Sequence, residues 1–195
     1  MPERITDELL LERAGGGDQA AFVSLYERHR DAVFRFAYRF LGSAEIAEDI
    51  THDCFLSLMR KPANFNPARA SLRTYLYAAV RNLSLKYFRE SGRETTMEDL
   101  KEHPTVGRRE QPLNKLLDEE LSQKVKEAVS DLPPLQREAL VLFEYEGLAL
   151  SEIATVVGTD VGAVKARLHR ARQRLKNALQ PYLNSTPEIV TLEKA

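Results

Sequence analysis

Apolar residues recur at spacings of three and four almost throughout this chain, which is the period of an amphipathic α-helix. No stretch shows the strict alternation that is typical of a strand, so the sequence predicts an all-α protein. The pattern breaks once, over residues 91–112, where Met97, Leu100 and Val106 are the only sizeable apolar side chains. So little apolar surface cannot offset the entropy of ordering a segment, which predicts a flexible linker between two small helical domains.

Helix boundaries follow from capping residues. Asp18, Ser43, Ser71, Ser151 and Asp160 each stand where a polar side chain can accept a hydrogen bond from the first turn of a helix. The predicted units are a helical domain over residues 1–90, a linker over 91–112, a second helical domain over 113–183 and a disordered tail over 184–195.

Composition excludes several classes of protein. The chain of 195 residues carries 28 Lys and Arg against 29 Asp and Glu, so any surface that binds nucleic acid must be local. A single cysteine, Cys54, excludes an internal disulfide and a cysteine-rich zinc site. No apolar run approaches the roughly 18 residues that span a bilayer. We therefore expect a cytoplasmic protein without membrane insertion.

A helix-turn-helix is predicted near the end of the second domain. Ser151 caps a short helix, Gly158 allows the turn, and Asp160 caps a second helix. That helix has a narrow apolar stripe flanked by six cations, and we expect the cations to face outward. Residues 163–179 contain no acid. The six cations are Lys165, Arg167, Arg170, Arg172, Arg174 and Lys176.

A basic amphipathic helix can also serve as a solvated surface, a membrane-surface helix or a coiled coil. A solvated helix normally mixes charges of both signs, a membrane-surface helix needs a bulky apolar face, and a coiled coil needs more heptads than remain. The arrangement of cap, glycine turn and second cap favours DNA, with the start of the second helix at base edges and the long cations at phosphates.

The first domain contains two helices of opposite charge. One, over residues 43–59, has Glu45, Glu48, Asp49 and Asp53 and no Lys or Arg. Its carboxylates could form a solvated face, a docking face for a basic partner, or, with His52, a metal site. A metal site needs ligands from several elements, and we expect none here.

The other helix, over residues 71–90, is basic and follows the loop Asn64–Phe65–Asn66. Amides, rings and cations in one place suit unpaired bases, because rings stack on bases and amides bind their edges. The polar groups of this helix are Arg73, Arg81, Asn82, Lys86 and Arg89.

Together these blocks resemble a known family. Residues 22–61 (FVSLYERHRDAVFRFAYRFLGSAEIAEDITHDCFLSLMRK) with ASLRTYLYAAVRNLSLKYFR look like the core-binding and promoter-melting domain of bacterial RNA polymerase sigma factors. LPPLQREALVLFEYEGLALSEIATVVGTDVGAVKARLHRARQRLKNAL looks like their C-terminal domain. Two such domains and a short linker resemble the extracytoplasmic-function (ECF) group of the sigma-70 family.

The resemblance implies three binding surfaces. Glu48, Asp49 and Asp53 would dock on the clamp coiled-coil of the polymerase core, whose flap is a second expected contact. The surface for the −10 element and its melting would comprise Asn64, Phe65, Asn66, Arg73, Arg81, Asn82, Lys86 and Arg89, with the loop capturing a flipped base. The helix in the −35 major groove would present Asp160, Gly162, Ala163, Lys165, Ala166, Arg167, Arg170 and Arg174.

The sequence departs from the family pattern at three positions. Where the family often has Thr and Ser, this chain has Ala163 and Ala166, so we expect DNA shape to contribute more to −35 recognition. Where the family usually has Trp, this chain has Tyr75, which keeps the packing role.

The resulting hypothesis is a transcription initiation factor that directs RNA polymerase core to promoters, with an anti-sigma factor as a further partner. The rival hypothesis is a dimeric helix-turn-helix regulator that binds a palindromic operator. We expect no enzymatic activity and no cofactor, because the sequence shows neither a nucleophile–base pair nor a phosphate-binding glycine loop.

Overall fold

The computed structural model describes residues 5–91 and 113–183, and this part of the chain is helical without any strand, as predicted. Eight α-helices are interrupted by a 3₁₀ turn, Pro62–Asn64, and a π-helical turn, Val141–Tyr145. The helices are α1 Asp7–Gly15, α2 Gln19–Leu41, α3 Ala44–Arg60, α4 Leu72–Glu90, α5 Leu113–Ser130, α6 Pro134–Leu140, α7 Leu150–Val157 and α8 Val161–Leu183.

The first domain is built on the packing of α2, α3 and α4 around large buried side chains. Phe36, Leu58 and Leu76 have no exposed surface, and the ring of Tyr77 meets that of Phe36 edge-on at 5.2 Å. The predicted caps are confirmed, because the side chains of Asp18, Ser43 and Ser71 each accept a hydrogen bond from the first turn of α2, α3 and α4.

Helix α1 is an element that the sequence analysis missed, because the first cap that it identified was Asp18, after the three glycines at 15–17. Thr6 caps α1, and Leu10, Leu11 and Ala14 are buried against the rest of the domain. Asp7 holds its start to α2 through Arg28 Nη1 at 2.5 Å and His29 Nε2 at 2.8 Å. Apolar residues at three- and four-residue spacing before the three glycines could have predicted this helix.

In the second domain, the helix that begins at Pro134 widens into a π-helical turn at Val141. The backbone N–H of Glu146 donates to Val141 O at 3.1 Å, five residues back, and Gly147 then turns the chain with a φ of 66°. A π-turn inside a helix has no periodic sequence signal, so the pattern could not reveal it.

The helix-turn-helix is present, with one change to its predicted caps. The N-cap of α7 is Ala149 rather than Ser151, and the carboxylate of Glu152 accepts the Ala149 N–H at 2.8 Å. Gly158 makes the turn with a φ of 68°, and Asp160 caps α8 by accepting the Ala163 N–H at 2.9 Å.

The two domains pack directly on each other: α4 lies against α7, and α2 lies against α6 and the π-turn. Apart from residue 91, the predicted linker lies outside the described residues, as does the predicted tail over 184–195. Within the described ranges, no helix is long and apolar enough to span a bilayer.

Candidate functional site

Helix α8 has one buried apolar face and several exposed cations, as expected for the second helix of a helix-turn-helix. Val164, Leu168 and Ala171 are buried in the domain core. Three cations of the predicted −35 surface, Lys165, Arg170 and Arg174, are exposed.

The expectation that all six cations of α8 face outward is wrong for Arg167. Its side chain is only 15% exposed, and its Nη1 lies 3.2 Å from Oε1 of Glu138, a carboxylate of α6 with no exposed surface. Arg172 is exposed but pairs with Glu144 at 2.7 Å. Residues 163–179 contain no acid, so only the tertiary fold brings these carboxylates to the helix.

The start of α8 presents small side chains, and the structure explains one of them. A Cβ on Gly162 would lie 2.9 Å from Oδ1 of Asp160, the atom that caps the helix, so glycine keeps the cap unobstructed. Ala163 is half-buried, whereas Asp160, Gly162 and Ala166 are exposed. The backbone of this end can therefore approach another molecule closely.

The loop before α4 divides its residues between core and surface. Phe65 is 8% exposed, and its ring meets that of Tyr75 edge-on at 5.6 Å, so it anchors the loop. Asn64 and Asn66 are exposed, and Oδ1 of Asn66 accepts the Ala68 N–H at 2.9 Å. The two amides, rather than the ring, are exposed to solvent.

Helix α4 carries the remaining residues that were predicted to bind the −10 element, and they fall into two groups. Asn82, Lys86 and Arg89 are exposed. The exposed Arg73 and the half-buried Arg81 contact the second domain, where Arg81 Nε lies 2.7 Å from Oε2 of Glu138 and Arg73 donates to the carbonyl of Glu146.

Glu138 is therefore shared between both domains, with Arg81 of α4 on one side and Arg167 of α8 on the other. Burial raises the pKa of this carboxyl, and both guanidinium groups oppose the rise. Burial also raises the pKa of Tyr77, which donates to Oε2 of Glu146 at 2.7 Å, to about 12.

The acidic residues of α3 border a surface groove of about 370 Å³. Glu48, Asp49 and Asp53 are exposed along it, and Arg30 Nη2 reaches to 3.9 Å from Oε1 of Glu48. The groove is lined by Tyr26, Arg30, Phe34, Glu48, Asp49, Thr51, His52 and Asp53. The sequence analysis missed the three α2 residues of this lining, because their closeness to α3 comes from helix packing.

No group of three or more His, Cys, Asp or Glu side chains within the described ranges could hold a metal ion. His52 lies in the groove wall among carboxylates that point to solvent.

Comparisons with known proteins assign the chain to a family. Residues 25–94 match the family model for Sigma-70 region 2, and residues 122–175 match that for Sigma-70, region 4. The chain is an ECF sigma factor of the sigma-70 family.

The chain aligns with other sigma factors over most of its length. ECF RNA polymerase sigma factor SigE of Mycolicibacterium smegmatis is 35% identical over 88% of this chain and 68% of its own. The ECF RNA polymerase sigma-E factor of Haemophilus influenzae is 30% identical over 94% of this chain and 100% of its own. The sigma factor RpoE of Bartonella quintana, solved in complex with the anti-sigma factor NepR, has a TM-score of 0.62 at 26% identity, covering 82% and 96% of the two chains.

The sigma factor accordingly directs transcription initiation at promoters. The dimeric helix-turn-helix regulator is not favoured, because both family models match in the order expected for a sigma factor.

Replacing Phe65 by alanine should lower the free energy of unfolding of the first domain by about 3 kcal/mol, because the ring is a buried anchor. Replacing the exposed Asn64 by alanine should change it by less than about 0.5 kcal/mol. Urea denaturation measures both. Equal stability of the two variants would contradict the assignment of Phe65 to the core.

Proposed function

We propose that this sigma factor divides promoter recognition between its domains and docks on the polymerase core through α3. The observation that carries the proposal is the separation of surfaces by charge. Exposed cations lie on α8 and on the C-terminal half of α4, whereas exposed carboxylates line the α3 groove. Positive surfaces attract DNA, and negative surfaces attract a basic protein surface. Both kinds are present although the whole chain carries a net charge of only −1.

The second domain binds the −35 element by placing the start of α8 in the major groove. Exposed Lys165, Arg170 and Arg174 contact phosphates, and the small side chains at the start of α8 let its backbone approach the base edges. Alanine at positions 163 and 166 provides no hydrogen-bonding group, so groove shape contributes to the choice of sequence. Arg167 orients α8 through Glu138 instead of contacting bases directly.

The first domain binds the −10 element as the strands separate. The exposed amides of Asn64 and Asn66 meet an unpaired base, while Phe65 holds their loop in place. Asn82, Lys86 and Arg89 follow the strand along α4, and their positive charge favours the single strand over bulk solvent.

The α3 groove binds the clamp coiled-coil of the polymerase core, and the second domain contacts the flap. A groove of about 370 Å³ with two aromatic side chains and a carboxylate rim offers apolar contact at its centre and charge at its edge. The protein acts in the cytoplasm as a non-catalytic subunit, and an anti-sigma factor restrains it. The likeness to a sigma factor solved with its anti-sigma factor supports that last assignment.

Reversing two charges of the groove should weaken core binding. The variant Asp49→Lys with Asp53→Lys should bind purified core polymerase at least about tenfold more weakly, because like charges then face each other. Fluorescence anisotropy of the labelled sigma factor measures the affinity.

The matched control is Glu8→Lys with Glu12→Lys, which makes the same charge change at exposed positions four residues apart on α1. This control should bind core as the parent protein does. Equal weakening by both double variants would contradict docking through α3.

Removing exposed cations of α8 should weaken binding of the holoenzyme to −35 duplex DNA. Arg170→Ala and Arg174→Ala should each lower the affinity about three- to tenfold and reduce its salt dependence by about one ion. Arg172→Ala is the control, because that guanidinium is paired with Glu144. An effect of Arg172→Ala equal to the others would contradict the assigned face of α8.

A further inference from the structure

Helix α8 exposes a histidine on the face that the proposed function places in the −35 groove. The buried side of the helix is formed by Val164, Leu168 and Ala171. At about 100° per residue, the side that points away from the domain is a stripe of four exposed residues, namely Gly162, Ala166, His169 and Gln173. The imidazole of His169 is therefore presented to the molecule that α8 contacts.

His169 supplies a hydrogen-bonding group that the beginning of this stripe lacks. Gly162 and Ala166 have no polar side-chain atom, and His169 is the next residue along the stripe. Lys165 and Arg170 are exposed on its two sides, where long cations reach phosphates. A side chain between two such cations lies over the base edges of a major groove that holds the helix.

No hydrogen bond or ion pair engages the side chain of His169 within the described parts of the chain. The charged neighbours on α8 itself are all positive, namely Lys165, Arg170, Arg172 and Lys176. The described carboxylates of α5, α6, the π-turn and α7 have other partners: Glu127 pairs with Lys124, Glu138 with Arg81 and Arg167, Glu144 with Arg172, and Glu152 with the Ala149 N–H. DNA is therefore the anionic partner that this imidazole can acquire.

We propose that His169 takes up a proton when α8 enters the −35 groove and, as an imidazolium, donates a hydrogen bond to a guanine. The inference rests on the proposed function, because it assumes that α8 binds the −35 duplex. Histidine is the side chain that ordinarily changes its charge between pH 5 and 8. The negative potential of the phosphates favours the charged form of a histidine that lies among them.

Guanine is the base whose edge suits a protonated imidazole. Both ring nitrogens then donate, and the ring has no acceptor. In the major groove, guanine presents two acceptors, N7 and O6, whereas adenine presents one acceptor beside a donor, thymine one acceptor beside a methyl group, and cytosine a donor. His169 can thus select a base by a charge-assisted hydrogen bond, which Ala163 and Ala166 cannot make.

The proton makes the affinity for the −35 duplex depend on pH in one direction. The complex holds one more proton than its free components, so by linkage a fall in pH strengthens binding. The added charge also displaces about one more cation from the DNA, so the salt dependence of binding is steeper at pH 6 than at pH 8.

The test fixes the charge at position 169 in both directions. His169→Gln keeps a polar side chain that never takes up a proton, and His169→Lys carries a positive charge at both pH values. Gln173→Lys is the matched control, because it adds the same charge one turn further along the exposed stripe and leaves His169 in place. The probe is the fluorescein-labelled duplex that the parent holoenzyme enriches most from a pool randomised over the −35 segment.

Holoenzymes with each variant are titrated with this duplex at pH 6 and pH 8 and at equal ionic strength, with fluorescence anisotropy as the readout. The parent should bind about three- to tenfold more tightly at pH 6 than at pH 8. His169→Gln and His169→Lys should each change by less than about twofold between the two pH values, with His169→Lys the tighter. Gln173→Lys should bind more tightly at both pH values and keep the pH dependence of the parent.

The choice of base is measured by sequencing the bound fraction of the randomised pool. At pH 6 the parent should enrich guanine at one position that His169→Ala relaxes, with the other positions unchanged. Placing 7-deazaguanine there, which lacks N7, should reduce the pH dependence of the parent toward that of His169→Gln. A merely structural role of His169 would instead weaken binding to all duplexes alike.

Equal pH dependence in the parent and in His169→Gln would overturn the inference, as would a His169→Ala variant that relaxes no single position. If the parent holoenzyme enriches a −35 sequence and transcribes from promoters while the changes at position 169 have no effect, only the role of His169 is wrong. If it enriches no sequence and makes no promoter-specific transcript, the proposed function is wrong, and the inference fails with it.

Discussion

The arrangement of this sigma factor depends on two carboxylates that are buried between its domains. Glu138 and Glu146 both lie close to the π-helical turn, Glu138 just before it and Glu146 immediately after. Each is compensated by groups from the first domain, namely Arg81 for Glu138, and Arg39 and Tyr77 for Glu146. Buried charge without such partners is too costly to persist, so these contacts determine where the second domain rests.

These contacts involve one part of α4 and leave other surfaces open. Arg73 and Arg81 contact the second domain, whereas Asn82, Lys86 and Arg89 on the second half of α4 are exposed. The carboxylates that line the α3 groove are exposed as well. The near-neutral net charge of the chain thus conceals surfaces of opposite sign.

Much of this could be predicted from the sequence, for local reasons. Apolar periodicity gave the all-α class, and short-range hydrogen bonds explain why the caps at Asp18, Ser43, Ser71 and Asp160 were predictable. The family resemblance was confirmed by the matches to both sigma regions. The assigned roles of single site residues stay predictions.

What the sequence could not reveal depends on contacts between distant residues. The sequence does not distinguish Arg167 from its exposed neighbours, because its partner Glu138 lies 29 positions away in the chain. The burial of Phe65, which belongs to the loop predicted to capture a base, depends on its contact with Tyr75, and the sequence pattern does not show that contact. The packing of the two domains rests on pairs separated by 57 and 107 positions, which no periodic pattern encodes.

The central claim is that this sigma factor directs RNA polymerase core to promoters. The most direct measurement is run-off transcription by purified core polymerase with the parent protein on a promoter library. The account predicts promoter-specific transcripts that core polymerase alone does not make. Absence of such transcripts, together with binding of the protein alone to a palindromic site, would contradict it.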